Sequence, residues 1–421
     1  MIHKLTQNIK EGKNFIKFGL INVFGQFFGL VLSLILAKFL NPAGFGAYSL
    51  SFMIIALFSA LLINSSQTPF IIHANQENKK TGKINNSFSS QLVFFGISVI
   101  LFVLIVLLFS SQLSLFAGIE KFSLVFLVLA FLGMSMVALL SNLFMALDRK
   151  NESAIVTLVN SFLIVLFVVI FYYLKILSLQ NLFLIYFISG ILVLFIFLGR
   201  VGFKSIFPFE LDHKNFKEQW DFTKWQIFGF VALYLINWGD NLVLRYYVSI
   251  EQIGIYNLAY KLFTGLMGIT FIINLYFLPF LSKNIGNRKL IADFLNRKRK
   301  LLLSLGTLLI GILAFISPVI INFLYGPNYS GSILVFLILL IALVLGLYFS
   351  FYGVLFNSMK KFKFLQTTNI IQVIINLGFD VILIPFIGII GAAIATVLGY
   401  FTRALLLEVY YQRKIKKLFF I

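Results

Sequence analysis

Twelve runs of about 20 apolar residues fill most of this sequence, and no other feature limits its fold as strongly. A helix of that length crosses the hydrocarbon core of a bilayer and satisfies its own backbone hydrogen bonds there. The sequence therefore predicts an all-α, polytopic membrane protein with twelve transmembrane helices. The predicted spans lie near residues 15–37, 47–70, 89–109, 123–147, 154–174, 181–201, 225–249, 253–281, 301–324, 333–357, 365–386 and 391–411.

The composition supports a membrane protein and removes several other classes. Of the 421 residues, 60% are hydrophobic and 11% are charged, whereas soluble domains carry about 25% charged residues. The chain has no cysteine, so disulfides and thiolate-bound metals are excluded. His3, His73 and His213 are far apart, and no nucleotide-binding loop or hydrolase motif occurs. We therefore expect no metal, no cofactor and no enzymatic activity.

The basic residues predict the orientation of the chain in the membrane. Most of the 34 lysines and arginines lie in alternate segments between the spans and at both ends of the chain. The other segments hold only Lys38, Lys121 and Lys175. Because Lys and Arg mark the cytoplasmic side, both termini are predicted to be cytoplasmic. The net charge of +20 then reflects topology and attraction to anionic membrane lipids, and no nucleic-acid partner is expected.

The two halves of the chain carry related sequences. Residues 15–17 (Phe-Ile-Lys) correspond to 222–224 (Phe-Thr-Lys), and residues 46–50 (Gly-Ala-Tyr-Ser-Leu) correspond to 254–258 (Gly-Ile-Tyr-Asn-Leu). Both copies run from a basic inner end to a Gly-x-Tyr turn, which indicates a parallel repeat. We expect an N-terminal six-helix bundle over residues 1–202, a cytoplasmic interfacial linker over 203–224 and a C-terminal six-helix bundle over 225–421.

The first span carries a small and polar face. Asn22 and Gln26 share this face with Gly25 and Gly29, whose spacing allows another helix to approach closely. The span is expected to end in a turn over residues 40–48. Asn22 and Gln26 are candidate ligands for sugar hydroxyl groups, and interhelical hydrogen bonding explains them equally well.

Ionisable side chains inside the spans are the strongest functional candidates, because each costs about 2.5–3.5 kcal/mol at a helix centre. Lys261 lies on a polar face of the eighth span, about 12 Å from its outer end. Arg403 lies near the midplane in the twelfth span, and arginine can hold phosphate through two parallel hydrogen bonds. We interpret both as substrate-binding residues, with a buried structural ion pair as the alternative. Arg245, nearer the outer end of its span, is a third candidate that snorkelling also explains.

Two carboxylates also lie within spans. Asp380 ends a polar stripe that includes Gln372 and Asn376, and both of these are further candidate substrate ligands. Asp240 lies near mid-depth in the seventh span. Asp380 either pairs with Arg403 or, with Asp240, binds a coupling ion.

An ordered set of motifs resembles the polysaccharide (O-antigen-type) flippases of the multidrug/oligosaccharidyl-lipid/polysaccharide exporter superfamily. The motifs are PAGFGAY at 42–48, DNLVLR at 240–245 followed by GIYNLAY at 254–260, LYG at 324–326 with Tyr329, and LIPFIGIIGAAIAT at 383–396. The resemblance implies two six-helix bundles that form a V-shaped central cavity. It also implies Lys261, Arg403 and Arg245 as the cationic lining of that cavity.

The resemblance further implies a flippase of the bacterial inner membrane, active in lipopolysaccharide and O-antigen synthesis. Its substrate would be a polyprenyl-diphosphate-linked oligosaccharide repeat unit, moved from the inner to the outer leaflet by alternating access. An ion gradient would drive the cycle through Asp240 and Asp380. Membrane lipids, a polysaccharide polymerase and glycosyltransferases are the expected partners.

Two other functions stay open at this point. An ion-coupled multidrug exporter of the same fold would have an acidic cavity, whereas this one contains roughly equal charges. An integral-membrane polysaccharide polymerase or ligase would need a large outer loop, whereas the predicted outer loops are short.

Overall fold

The computed structural model describes residues 2–416, with side chains from residue 17 onward except at Phe203 and at six positions between residues 269 and 279. Every regular element in this described part is helical. The α-helices are α1 (Ile2–Phe39), α2 (Asn41–Phe58), α3 (Gln67–Thr81), α4 (Asn85–Leu108), α5 (Ser110–Ala117), α6 (Ser123–Ala146), α7 (Lys150–Tyr173), α8 (Leu179–Leu198), α9 (His213–Tyr247), α10 (Ile250–Asn284), α11 (Arg288–Asp293), α12 (Arg299–Tyr325), α13 (Gly331–Ser358), α14 (Phe362–Ile387) and α15 (Ile389–Tyr410).

The prediction of an all-α, multi-span membrane protein is confirmed. Within the residues described, eleven helical segments are long and apolar enough to cross a membrane. One of them combines α2, a π-helical turn at Ser59–Asn64 and α3. The predicted eighth span coincides with α10, a continuous helix of 35 residues. Helix α5, which has eight residues, was not predicted from the sequence.

The turn after the first span is shorter than predicted. Helix α2 begins at Asn41, so the residues after Leu40 that were expected to form the turn are helical. Asn41 has a φ of 56°, and its Oδ1 accepts a hydrogen bond from the Gly44 N–H at 2.9 Å. Pro42 follows in the first helical turn, where its missing N–H leaves no helix bond unmade. The Asn-Pro pair therefore starts a new helix at once.

Contacts divide the chain into two compact units. The first unit contains the chain up to Leu40 together with Ala47–Leu235, and the second contains Asn41–Gly46 together with the chain from Ile236 onward. Helix α9 therefore begins in the first unit and ends in the second.

Inside the first unit, α6 and α8 pack backbone against backbone. A Cβ atom built on Gly133 would lie 2.5 Å from the Tyr186 carbonyl oxygen, and one built on Gly190 would lie 2.5 Å from the Gly133 carbonyl oxygen. Only glycine fits at either position, because real Cβ atoms do not approach other atoms that closely. The two helices are thus held at a fixed crossing point.

The predicted linker packs against the first unit. The Ser205 carbonyl oxygen accepts a hydrogen bond from the Ile84 N–H at 2.8 Å. Further along, the Phe216 ring lies 5.2 Å from the Phe94 ring on α4. The first turns of α9 are therefore anchored to α4.

In the second unit, α14 and α15 form a tight antiparallel hairpin. Gly388 joins them with a φ of 56°. Residues equidistant from Gly388 consequently lie side by side across the hairpin. This register fixes which polar residues of the two helices can meet.

Candidate cation and substrate site

Two buried carboxylates lie at the centre of the polar cluster in the second unit. Asp240 on α9 is 5% exposed, and Asp380 on α14 is fully buried. The nearest cations do not neutralise them, because neither carboxylate has a Lys, Arg or His nitrogen within 4.0 Å among the described side chains. Two neighbouring buried negative charges repel one another unless a proton or a cation is shared between them.

Hydroxyl and amide groups complete the cluster around the carboxylates. Tyr256 on α10 donates a hydrogen bond to Asp240 Oδ2. Thr396 on α15 donates to the same oxygen at 3.2 Å. Asn376 on α14 donates to Asp380 Oδ2 at 3.3 Å. With its amide turned by a half rotation, Asn376 instead donates to Asp240 Oδ1 at 3.2 Å and accepts from the Thr396 N–H at 3.3 Å.

The cluster resembles a site for a small hard cation in its donor chemistry. The side chains supply carboxylate, hydroxyl and amide oxygens, which are the ligands that hard cations prefer. Asp380 Oδ1 is buried and has no hydrogen-bond partner in the part of the chain that is described. A partly open cavity of about 300 Å³ adjoins Asp240, Asn376 and Thr396 and is lined further by Gln372 and Tyr400. Within the same described residues, no group of three or more His, Cys, Asp or Glu side chains could hold a metal ion.

The alternative pairing of Arg403 with Asp380 is wrong. Arg403 Nη1 instead donates to Gln372 Oε1 at 3.2 Å, and the guanidinium carbon lies 4.3 Å from the centre of the Phe349 ring. The hairpin register gives the reason. Arg403 lies 15 residues after Gly388 and Gln372 lies 16 residues before it, whereas Asp380 is about 12 Å further along α14.

Arg403 retains unused hydrogen-bonding capacity. Its Nε atom is buried and has no partner among the residues described, and no carboxylate pairs with its guanidinium there. A guanidinium that is stacked on a ring and held by one amide is oriented but not neutralised. Its remaining N–H groups can therefore donate hydrogen bonds to an anionic group that approaches the edge of the guanidinium.

Lys261 lies on α10 in the same unit. Its Nζ atom lies 5.4 Å from the centre of the Trp238 ring, and the side chain is half-buried. One turn earlier, Asn257 donates to Asn241 Oδ1 at 2.7 Å, which ties α10 to α9. The ammonium group thus sits over an aromatic face, where a cation–π contact is favourable.

The other predicted ligands are more dispersed. Arg245 is half-buried near the end of α9. In the first unit, Asn22 donates to the Phe18 carbonyl oxygen of its own helix at 2.8 Å, and Gln26 is exposed. A Cβ atom on Gly25 would lie 3.9 Å from the Leu158 backbone, so the close approach predicted for this face is made by α7. The second unit brings together Asp240, Asp380, Asn376, Gln372 and Arg403, and Asn22 and Gln26 belong to the other unit.

A second buried polar cluster, which was not predicted from the sequence, lies at the other end of α13 and α15. Arg299 is 8% exposed and donates to the Tyr352 hydroxyl at 2.8 Å. Both Tyr352 and Tyr348 donate to Glu408 Oε2, the latter at 2.6 Å. Arg299 follows a run of exposed basic residues, so its position in the sequence does not indicate its burial.

Comparison with known protein families identifies the chain. Residues 12–285, more than half of its length, match the family described as "Polysaccharide biosynthesis protein". The chain belongs to this family. The matched region includes Asp240, Tyr256 and Lys261, whereas Asp380 and Arg403 lie after it. The resemblance inferred from the sequence motifs is confirmed.

One curated relative and two solved structures extend this comparison. The uncharacterized membrane protein MJ1068 of Methanocaldococcus jannaschii is 25% identical over 281 residues, which cover 63% of this chain. The match spans 54% of that relative, about half of its length. The lipid II flippase MurJ, in an inward closed conformation, has a TM-score of 0.72 at 17% identity, covering 94% of this chain and 87% of MurJ. An inward-facing multidrug resistance MATE transporter of the MOP superfamily has a TM-score of 0.73 at 13% identity, covering 94% of this chain and 95% of that transporter. These structures share the fold of this member of the polysaccharide biosynthesis family.

Proposed function

We propose that this protein is a flippase that moves polyprenyl-diphosphate-linked oligosaccharide repeat units from the inner to the outer leaflet. Membership of the polysaccharide biosynthesis family supports a glycan substrate. The fold, which is shared with a lipid II flippase, supports a lipid-linked one. One observation carries the proposal: the second unit holds two separate charged groups. One is the incompletely paired guanidinium of Arg403, and the other is the buried carboxylate pair of Asp240 and Asp380.

The two charged groups suit different parts of one transport cycle. Arg403 and Lys261 offer positive charge to the diphosphate of the substrate, because guanidinium and ammonium groups bind phosphate oxygens. Asp240 and Asp380, with Thr396, offer an oxygen cage to a proton or a monovalent cation. Binding of the cation would remove the repulsion between the carboxylates and thereby favour one arrangement of α9, α14 and α15. This is how an ion gradient would drive alternating access.

A second candidate is an ion-coupled multidrug exporter of the same fold. This second function is favoured by the fold that the chain shares with a MATE transporter and by the cavity that Asp240 lines. The two candidates differ in the charge of the cargo. An exporter of cationic drugs uses the carboxylates as its cargo site, whereas a flippase of diphosphates uses Arg403 and Lys261.

Reconstitution into liposomes distinguishes the two. The purified full chain is supplied with a fluorescent polyprenyl-diphosphate oligosaccharide in one set of vesicles and with ethidium in another. We expect movement of the lipid-linked glycan, measured by quenching in the exposed leaflet, and no accumulation of ethidium. Transport of ethidium alone would contradict the flippase proposal.

A further inference from the structure

An apolar cavity of about 190 Å³ lies in the first unit, beneath the segment that joins α8 to α9. Its walls come from α4, α6 and α8 and from the joining segment itself. All of its lining residues are apolar, and they include Phe88, Leu140, Leu194 and Ile206. The cavity is partly open and is separate from the cation and substrate site, which belongs to the second unit.

The apolar walls of the cavity determine which molecules can occupy it. A buried water molecule needs two to four polar partners, and these walls offer none. The volume is about six times the ~30 Å³ that a water or a similarly sized methylene group occupies in a liquid. Since α4, α6 and α8 are membrane-spanning helices, hydrocarbon chains are the apolar material that surrounds them. A short length of acyl chain therefore fits both the polarity and the size.

Two cations border this cavity along the chain. Arg200 lies between the lining residues Leu198 and Val201, and Lys204 lies between Val201 and Ile206. Both cations are exposed, and neither has a carboxylate oxygen within 4.0 Å among the residues that the structure describes.

The groups around these cations leave their charge uncompensated. The Arg200 guanidinium carbon lies 5.3 Å from the centre of the Phe197 ring. Its neighbour Arg149 donates to the Arg200 carbonyl oxygen but is itself paired with Glu152. Glu210, further along the same segment, lies more than 4.0 Å from the nitrogens of both cations and accepts a hydrogen bond from Asn85 at 3.2 Å. Positive charge is therefore available beside the apolar cavity for an anionic group.

We propose that this cavity holds part of an acyl chain of an anionic phospholipid whose phosphate contacts Arg200 and Lys204. The apolar acyl chain of such a lipid fits the cavity, and its phosphate fits the two cations beside the cavity. Arg200 offers parallel donors for phosphate oxygens, and Lys204 adds a second positive charge. The lipid would stabilise the joining segment, whose Ser205 carbonyl oxygen accepts a hydrogen bond from Ile84, the residue before α4. This site does not depend on which cargo the protein carries.

Native mass spectrometry of the purified full chain tests the site. The protein is titrated with palmitoyl-oleoyl phosphatidylglycerol, with the matching phosphatidylcholine as the uncharged-headgroup comparison. Leu194→Trp fills the cavity, and Leu192→Trp places the same ring two residues away, outside the lining. Arg200→Gln and Lys204→Gln remove the cations one at a time, and Lys289→Gln removes an exposed lysine of the second unit.

We expect Leu194→Trp to lose the phosphatidylglycerol molecule that binds with the highest affinity, and Leu192→Trp to retain it. Each removed cation should weaken its binding about fivefold, since a basic residue near a lipid surface contributes about that factor. Lys289→Gln should leave this binding unchanged. Should Leu194→Trp not purify as a monodisperse protein, Met136→Trp places an indole ring at another lining position of the same cavity.

Three results would overturn the proposal. The first is equal retention of phosphatidylglycerol in the Leu194 and Leu192 variants. The second is equal affinity for phosphatidylcholine, which would show that the cations do not select the lipid. The third is displacement of phosphatidylglycerol from this site by a polyprenyl phosphate at lower concentration, which would assign the cavity to the tail of the cargo.

Discussion

The Thr396 hydroxyl lies 3.2 Å from Asp240 Oδ2, although the two residues are 156 positions apart in the chain. This hydrogen bond joins α15 to α9. Asp380 lies eight residues before Gly388 and Thr396 eight residues after it, so the hairpin places them level with each other. The three residues define one point at which α9, α14 and α15 meet. Any ligand that binds there acts on all three helices.

Removal of either carboxylate should abolish the response to the coupling cation. Asp240→Asn and Asp380→Asn keep the shape of each side chain but remove a charge that a bound cation needs. We expect sodium chloride to raise the melting temperature of the wild-type protein relative to choline chloride, because a ligand that binds only the folded state stabilises it. Both variants should lose this rise. Glu251→Gln, an exposed carboxylate at the start of α10, is the matched control.

Loss of a single hydroxyl group from the cluster should weaken the cation response without abolishing it. Tyr256→Phe and Thr396→Val each remove one donor to Asp240. A hydrogen bond to a charged group contributes about 1.5–3 kcal/mol, so the salt concentration that gives half of the thermal shift should rise about tenfold or more. Tyr246→Phe changes an exposed tyrosine of the same helix as Asp240 and should have no effect. An unchanged midpoint in both buried variants would show that the hydroxyl groups do not support the site.

Arg403 should not tolerate replacement by lysine. The guanidinium is held by Gln372 and stacked on Phe349, and a lysine ammonium cannot reproduce its flat arrangement of donors. We expect Arg403→Lys and Arg403→Ala to reduce flipping of the lipid-linked glycan by a similar factor, about tenfold or more. Membrane expression and the cation-dependent thermal shift should persist, since Arg403 is not paired with the carboxylates. Full activity of Arg403→Ala would remove this residue from the substrate site.

Two glycines of the repeated motif should each be essential for stability. A Cβ atom built on Gly46 would lie 2.0 Å from the Ile250 carbonyl oxygen, and one on Gly254 would lie 1.9 Å from the Pro42 carbonyl oxygen. The contact is reciprocal, and it joins positions that the predicted repeat aligns, Gly46 with Gly254 and Pro42 with Ile250. Alanine at either glycine should lower the melting temperature by several degrees, since the two backbones would have to move apart.

The matched control for this contact is Gly268→Ala on α10, where a Cβ atom meets nothing within 4 Å. Its melting temperature should be unchanged or slightly higher, because alanine favours a helix more than glycine does. Equal melting temperatures for all three variants would contradict the close backbone contact.

The length of the apolar segments and the helical periodicity of their polar residues were enough to predict much of the fold. They gave the helical spans, placed Asn376 and Asp380 on one polar face and placed Asp240 near mid-depth of its span, because both signals are local in sequence. Of the two roles that the sequence left open for Asp380, pairing with Arg403 is wrong, although the turn at Gly388 fixes the register of α14 and α15. Counting from that glycine would have paired Arg403 with Gln372.

Other parts of the site depend on packing that periodicity does not encode. Tyr256 reaches Asp240 from another helix, and a tyrosine in a Gly-x-Tyr motif looks like an interfacial anchor. Arg299 appeared to belong to the exposed basic run that precedes it, yet it is buried against Tyr352. These contacts arise from how α10, α12 and α13 pack, which the order of residues along one helix does not show.

Flipping under an imposed cation gradient is the decisive test of cation-coupled transport through Asp240 and Asp380. Liposomes that contain the full chain and a fluorescent polyprenyl-diphosphate oligosaccharide are given a sodium or proton gradient in either direction, and movement of the label between leaflets is followed by quenching. We expect one of the two gradients to accelerate flipping in one direction, and we expect Asp380→Asn to remove the acceleration while Glu251→Gln keeps it. Flipping at the same rate under every gradient, in wild-type protein and Asp380→Asn alike, would contradict this expectation.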